Sequence, residues 1–177
     1  MNGHLTDAMH AALAPVVAGR AVHDLGAGRG ELAIELLTLG AAAVEAVDKE
    51  SVPANTSRTR YHRAYFKDYR PESVDVAFVS WPQNNEGTTH ELLPLLERAA
   101  TIVYLGKNTD GTACGTPSLF QYLAGRALLD YVPDRRNVLA VYGAPLGRER
   151  AGFELRQEEL AGLTTYDGSV LDYEEGE

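Results

Sequence analysis

"HDLGAGRGELAIELL", residues 23–37, places three glycines in five positions between a short apolar stretch and a run with helical spacing. Glycine permits backbone conformations and close approaches that a Cβ forbids. A turn this bare, between a strand and a helix, marks a place where a ligand meets the main chain. In doubly wound α/β sheets that place is the first strand-to-helix turn, beyond the carboxyl ends of the strands. A dinucleotide site uses G-x-G-x-x-G there. Counting from Gly26, Gly28 fits, but the last glycine of that pattern falls on Glu31. The spacing is instead G-x-G-x-G, at Gly26, Gly28 and Gly30, with Asp24 two residues ahead. An acid so placed suits a ligand with a positive end better than a pyrophosphate.

Strands and helices alternate outward from this turn. Residues 6–19 read as a helix opened by a Thr or Asp cap and disturbed or ended near Pro15. Residues 20–26 form a strand, 30–40 a helix closed by Gly40, and 42–50 a second strand ending at Asp48. A polar loop or short helix at 51–60 leads to a third strand at 61–66. "SVDVAFVSWP" (73–82) is the clearest strand, nearly continuous in apolar residues, as suits burial on both faces of a parallel sheet. A helix at 89–100 despite Pro94, a strand at 101–108, a helix at 117–129 and a strand at 137–145 follow, the last expected to pair near "LDYVP". The pattern predicts an α/β three-layer sandwich with a mainly parallel, doubly wound sheet. One domain over 1–177 accommodates it, with the acidic end 166–177 expected to fray.

"DLGAGRG" (24–30) resembles the first motif of the class I S-adenosylmethionine-dependent methyltransferases, an acid followed by x-G-x-G-x-G. The resemblance covers roughly residues 6–145 and implies a Rossmann-like fold. It implies that Asp24 serves the methionine amino group, directly or through water, and that Gly26, Gly28 and Gly30 lie against the cofactor. Asp48, ending the second strand in "VEAVDKE", matches the acid that holds both ribose hydroxyls. That offset of about 20 residues also occurs in dinucleotide sites, so Asp48 alone does not discriminate. Asp68 in "YFKDY" matches the acid or amide at the adenine amino group, with Phe66 or Lys67 beside the ring. The cofactor implied is S-adenosyl-L-methionine, released as S-adenosyl-L-homocysteine.

The family's reacting pocket lies at the end of the fourth strand, here "VAFVSWPQNN" (76–85). Ser80 and Trp81 are the candidate catalytic residues, with Gln83 and Asn84 beside them. "SWPQ" partly resembles the [DNS]-P-P-[YFW] motif for amino-group methylation, but Trp81 replaces the first proline and Gln83 the aromatic. An indole there suits a sulfonium, worth ~0.5–2 kcal/mol. Lys107, Asn108, Thr112 and Cys114, in a glycine- and threonine-rich loop, are further acceptor contacts. His23 reads as a packed, hydrogen-bonded histidine. The basic cluster Arg58, Arg60, Arg63, Lys67 and Arg70 reads as a solvated face, interrupted by Asp68, or else a receiver for an anionic acceptor.

Composition narrows the partners. With 25 acids against 16 bases the net charge is −9, which argues against a broad nucleic-acid surface. The acceptor expected is therefore a small molecule. Cys114 is the only cysteine, excluding an intrachain disulfide and a cysteine-rich zinc site, and no metal is expected. No run approaches the ~18 apolar residues of a spanning helix, and "MNGHLTDAMHAALAPVV" lacks the basic cluster of a signal peptide. A cytoplasmic protein with no membrane contact is the expectation. Two other functions remain open: a non-catalytic binder of the same cofactor, and a nucleotide-dependent oxidoreductase.

Overall fold

The apolar run Val74–Ser80 sits at the centre of a seven-stranded sheet, with residues from Val76 to Val79 buried on both faces. A computed structural model describes residues 5–50, 53–107, 114–135 and 137–147. In chain order the elements are α1 (Asp7–Val17), β1 (Ala21–Leu25), α2 (Glu31–Thr38), β2 (Ala43–Asp48), β3 (Thr59–Arg63), a single 3-10 turn (Phe66–Asp68), β4 (Val74–Ser80), α3 (Glu86–Glu97), β5 (Ala99–Lys107), α4 (Pro117–Leu123), β6 (Arg126–Asp134) and β7 (Asn137–Pro145). The acidic end 166–177, Asn108 and Thr112 lie outside the described residues.

Strand order is β3-β2-β1-β4-β5-β7-β6, parallel throughout except β7, which runs antiparallel to both neighbours. A doubly wound dinucleotide sheet orders its strands 3-2-1-4-5-6. Here the last two strands form a hairpin that inserts β7 between β5 and β6. The chain steps outward from β1 to β3 and then returns to β4. The crevice beyond the carboxyl ends of β1 and β4 is thus a topological switch point, where such sheets bind ligands.

Helices cover both faces. Met9, Leu13 and Val17 of α1, spaced by four residues, join Ala33 and Leu36 of α2 in one half of the core. Leu92, Leu95 and Leu96 of α3, with Leu119 and Leu123 of α4, form the other half. The three-layer α/β sandwich is therefore the fold. α1 runs past Pro15 to Val17; the proline is exposed, and the Ala18 N–H still reaches the Ala14 carbonyl at 3.0 Å. Thr6 caps it, accepting from the Met9 N–H at 3.3 Å.

The helix expected over 89–100 is Glu86–Glu97 and the strand expected over 101–108 is Ala99–Lys107; two further elements differ for reasons of pairing. The third strand begins at Thr59 and ends at Arg63, because pairing with β2 runs from Val44↔Thr59 to Asp48↔Arg63. The helix expected over 117–129 stops at Leu123, and Arg126 opens a strand. "ALLDYVP" satisfies helical and strand patterns alike, and pairing with β7 decides between them. The Arg126 guanidinium is drawn into the core. It donates to the carbonyls of Gly143 (2.7 Å), Ala99 (2.7 Å) and Leu96 (3.3 Å) and to the Tyr122 hydroxyl (3.1 Å). It fastens the ends of β7 and α3 to the start of β5.

Candidate active site

A cavity of about 700 Å³ opens at the switch point, within the range of small-molecule sites. Its walls come from the end of β1 (Leu25, Gly26, Gly28, Arg29), the end of β2 (Asp48, Lys49, Glu50) and the segment after β3 (Ala64, Tyr65, Phe66). Val79 to Gln83 and Asn85 at the end of β4, and the first turns of α3, complete it. Asn85 caps α3, its Oδ1 accepting from the Thr88 N–H at 3.0 Å.

The three glycines are required for different reasons. All have left-handed backbones, with φ of +93° at Gly26, +54° at Gly28 and +76° at Gly30, where side chains are strained. A Cβ on Gly28 would meet nothing within 4 Å, and one on Gly26 would meet only the Phe66 ring, at 4.0 Å. The protein thus leaves the cavity side of the turn open. A Cβ on Gly30 would lie 2.6 Å from Cε1 of Tyr61, so that glycine accommodates a ring from β3. The turn is fixed from below: the Gly26 and Ala27 N–H groups donate to the Val47 carbonyl at 2.8 and 3.0 Å.

Asp24 lies beneath this turn, outside the cavity wall. It is completely buried, and among the described residues neither carboxylate oxygen has a hydrogen-bond partner. Burial, and then the charge of Asp48, push its pKa up to about 7. An orphaned buried carboxylate costs stability and marks functional sites. Asp48 is differently placed, on the cavity wall. Its Oδ2 accepts from the Gly28 N–H at 2.9 Å and its Oδ1 from the Glu50 N–H at 2.8 Å. Each oxygen keeps a further lone pair.

Ser80 and Trp81 both line the cavity. Trp81 has φ +42°, a conformation rare for a bulky residue. It is held there: its N–H donates to the Leu105 carbonyl at 2.7 Å, and the next residue, Pro82, accepts from the Gly115 N–H at 2.8 Å. Strain of this kind, imposed by surrounding bonds, clusters at ligand sites. Sequence gives no sign of it.

The other candidates scatter. Gln83 reaches the cavity; Asn84, Asp68, Lys107 and Cys114 are not in its wall. Asp68 is exposed on its turn, while Tyr65 and Phe66 just before it line the cavity. Cys114 is buried, its Sγ 3.7 Å from the Tyr104 hydroxyl. His23 is packed as expected, sharing a 2.8 Å hydrogen bond with the Tyr69 hydroxyl. Arg58, Arg60, Arg63, Lys67 and Arg70 are all exposed; Arg60 lies 3.8 Å from Glu45 and Lys67 3.9 Å from Glu91. Sequence reading missed Thr88, Glu91 and Leu92 of α3. A capped helix following the central strand was the signal available for them. Among the described residues no group of three or more His, Cys, Asp or Glu could hold a metal, and no helix is long and apolar enough to cross a membrane.

The sheet order and the helices on its two faces define a Rossmann-like α/β fold. No protein-family model matches the sequence, and no curated protein matches it by sequence. Solved structures do match. A Burkholderia thailandensis 1,6-didemethyltoxoflavin-N1-methyltransferase, solved with that compound and S-adenosylhomocysteine, superposes with a TM-score of 0.59 at 19% identity, over 77% of this chain and 76% of that one. A Pyrococcus horikoshii protein assigned as an RNA methyltransferase gives 0.59 at 14% identity, over 78% and 81%. The N-methyltransferase NodS of Bradyrhizobium japonicum gives 0.58 at 12% identity, over 77% and 94%. These likenesses establish the fold.

Proposed function

We propose that this chain is an S-adenosylmethionine-dependent methyltransferase acting on a small-molecule acceptor. The observation that carries this reading is Asp24, a buried carboxylate with no partner among the described residues, beneath a turn where Gly26 and Gly28 leave the cavity side bare. A cationic amino-acid end supplies what that carboxylate lacks. Asp48 offers its remaining lone pairs to a ribose diol, and Tyr65 and Phe66 offer apolar surface to a base. Asp68, on the exposed side of its turn, is a weaker candidate for the base's amino group than the main chain around Phe66.

The cofactor supplies an electrophilic methyl group on a sulfonium. The protein's task is alignment, which can contribute ~7–11 kcal/mol. Ser80 and Trp81, at the end of β4, hold the acceptor. Trp81 is well suited, since bonds to Leu105 and around Pro82 fix its backbone on both sides. Among the described residues the stretch Ser80–Asn85 offers only neutral groups. That stretch supplies no general base, and Glu50 and Glu91 are the wall carboxylates that could take a proton from an acceptor that must lose one. The small-molecule reading rests on the modest size of the cavity, about 700 Å³, and the net charge of −9.

A domain that binds the cofactor without turning it over is the alternative; it shares every cofactor contact and differs only beyond Ser80. The oxidoreductase reading is disfavoured by the antiparallel β7 and the glycine spacing. A thermal-shift comparison tests the proposal. S-adenosylhomocysteine at ~100 times its dissociation constant should add ~2.7 kcal/mol of stability, and NAD none. Stabilisation by NAD alone would overturn the proposal.

A further inference from the structure

The cavity wall formed by Phe66 depends on a 3-10 turn of three residues. The Tyr69 N–H closes it on the carbonyls of Tyr65 and Phe66, both at 3.2 Å. So short a helix has little stability of its own. Yet the Phe66 ring stands 4.0 Å from where a Cβ of Gly26 would be, at the first glycine of the ligand turn. Toward α3 the turn is tied by the Lys67–Glu91 pair at 3.9 Å, with the lysine 60% exposed, a contact of little energetic weight.

Phe66 also packs against the half-core that holds Leu92 and Leu95, a contact without direction; the directional anchor lies on the other side. Tyr69, the residue that ends the turn, is buried against the sheet. Its hydroxyl shares a 2.8 Å hydrogen bond with Nδ1 of His23 on β1. Its ring packs at 5.0 Å from that of His62 on β3, and His62 Nε2 is 2.6 Å from the Glu45 carboxylate on β2. Three adjacent strands thus converge on one tyrosine. Polar groups in an otherwise apolar half-core cost desolvation unless satisfied, and a leucine would serve packing alone. What the hydrogen bond adds is direction. The chain just beyond is secured separately, by Arg98 donating to the carbonyls of Pro71 (2.5 Å) and Glu72 (2.9 Å).

We infer that Tyr69, held by His23, His62 and Glu45, is a positioning residue for the nucleoside end of the cofactor: it fixes the turn that sets Phe66 against Gly26. The inference rests on the cofactor reading above and goes beyond it, since none of the four side chains lines the cavity. Burial lowers the pKa of His23 and raises that of Tyr69, so the bond between them joins two neutral groups at neutral pH.

Calorimetric titration with two probes tests it: S-adenosylhomocysteine, and 5′-methylthioadenosine, which keeps the nucleoside and sulfur but lacks the amino-acid end. Tyr69→Phe removes one oxygen and keeps the ring. It should weaken both probes by the same factor, about three- to tenfold, within the roughly two- to thirtyfold over which residues that touch no ligand act. His62→Ala should do likewise, and His62→Phe, which keeps a ring against Tyr69 but loses the bond to Glu45, should restore part of the affinity. Asp24→Asn, by contrast, should weaken only S-adenosylhomocysteine. Melting curves confirm that each variant is folded at the titration temperature. Unchanged affinities in folded Tyr69→Phe, or a loss confined to S-adenosylhomocysteine, overturn the inference. Wild-type protein that binds neither probe overturns the cofactor reading itself.

Discussion

Replacing Asp24 with asparagine should make the protein more stable at pH 8 and weaken its binding of S-adenosylhomocysteine. The carboxyl is completely buried without a partner among the described residues, and its pKa rises from 3.8 to about 7. Between those values the folded chain keeps a proton that the unfolded chain has released. Stability therefore falls as pH rises from about 4 to about 7 and levels off above. The gap between the two values amounts to roughly 4 kcal/mol at pH 8. An asparagine carries no such dependence, though its buried amide costs ~1–3 kcal/mol of that gain. The variant should then exceed wild type by about 2 kcal/mol at pH 8, or roughly 4–8 °C in melting temperature for a chain of this size. The advantage should shrink by about 2–3 kcal/mol on moving to pH 5. Melting curves of both proteins at pH 5, 6, 7 and 8 measure this, and their difference cancels His23, which both contain. The same variant should bind S-adenosylhomocysteine ~10- to 100-fold more weakly, since a charge-assisted hydrogen bond is worth ~1.5–3 kcal/mol. A variant less stable than wild type at every pH, or a difference that does not change with pH, would show that Asp24 has a partner in solution.

The glycines separate binding from stability. Gly28→Ala meets open space, so it should cost only the ~1–2 kcal/mol of a left-handed residue while blocking ligand approach. Gly30→Ala adds a collision with Tyr61 and should be the less stable of the two in urea titrations. Asp48→Ala should weaken S-adenosylhomocysteine by roughly 1–3 kcal/mol with the fold retained, as calorimetry and circular dichroism together would show; unchanged affinity would free Asp48 of any ribose role. Trp81→Gly should be more stable than Trp81→Ala by ~1 kcal/mol, because glycine relieves the left-handed backbone; equal melting temperatures would mean that no strain is stored there. Arg126→Met should cost at least ~2 kcal/mol by stranding the carbonyls of Gly143 and Ala99, with cofactor affinity untouched.

What the sequence made legible is whatever depends on neighbours along the chain. The run from Val74 to Ser80 announces a central strand by composition, and the glycine spacing with Asp24 identifies the turn before any contact is known. The order of elements then gives the layers. Features that depend on partners far along the chain were hidden. α4 ends at Leu123 because the next residues pair with β7, where Arg126 also finds carbonyls 17 to 30 residues away. The edges of β3 follow the register of β2. The anchoring of Tyr69 by His23 spans 46 residues, and no local pattern marks either one. Asp68 illustrates the same limit within the site: its offset from β3 suited a base contact, but a three-residue turn decides which side chains face inward, and Tyr65 and Phe66 do.

Trp81 is the only tryptophan in the chain, and it lines the end of the cavity assigned to the acceptor. The protein therefore carries its own optical probe. Excitation at the red edge of the indole band, where the nine tyrosines absorb little, isolates emission from one side chain. A compound entering beyond Ser80 would change the polarity around that indole or quench it, shifting wavelength or intensity without any label. Libraries of candidate acceptors can be screened in this way before a product assay exists, with the cofactor site already saturated by S-adenosylhomocysteine.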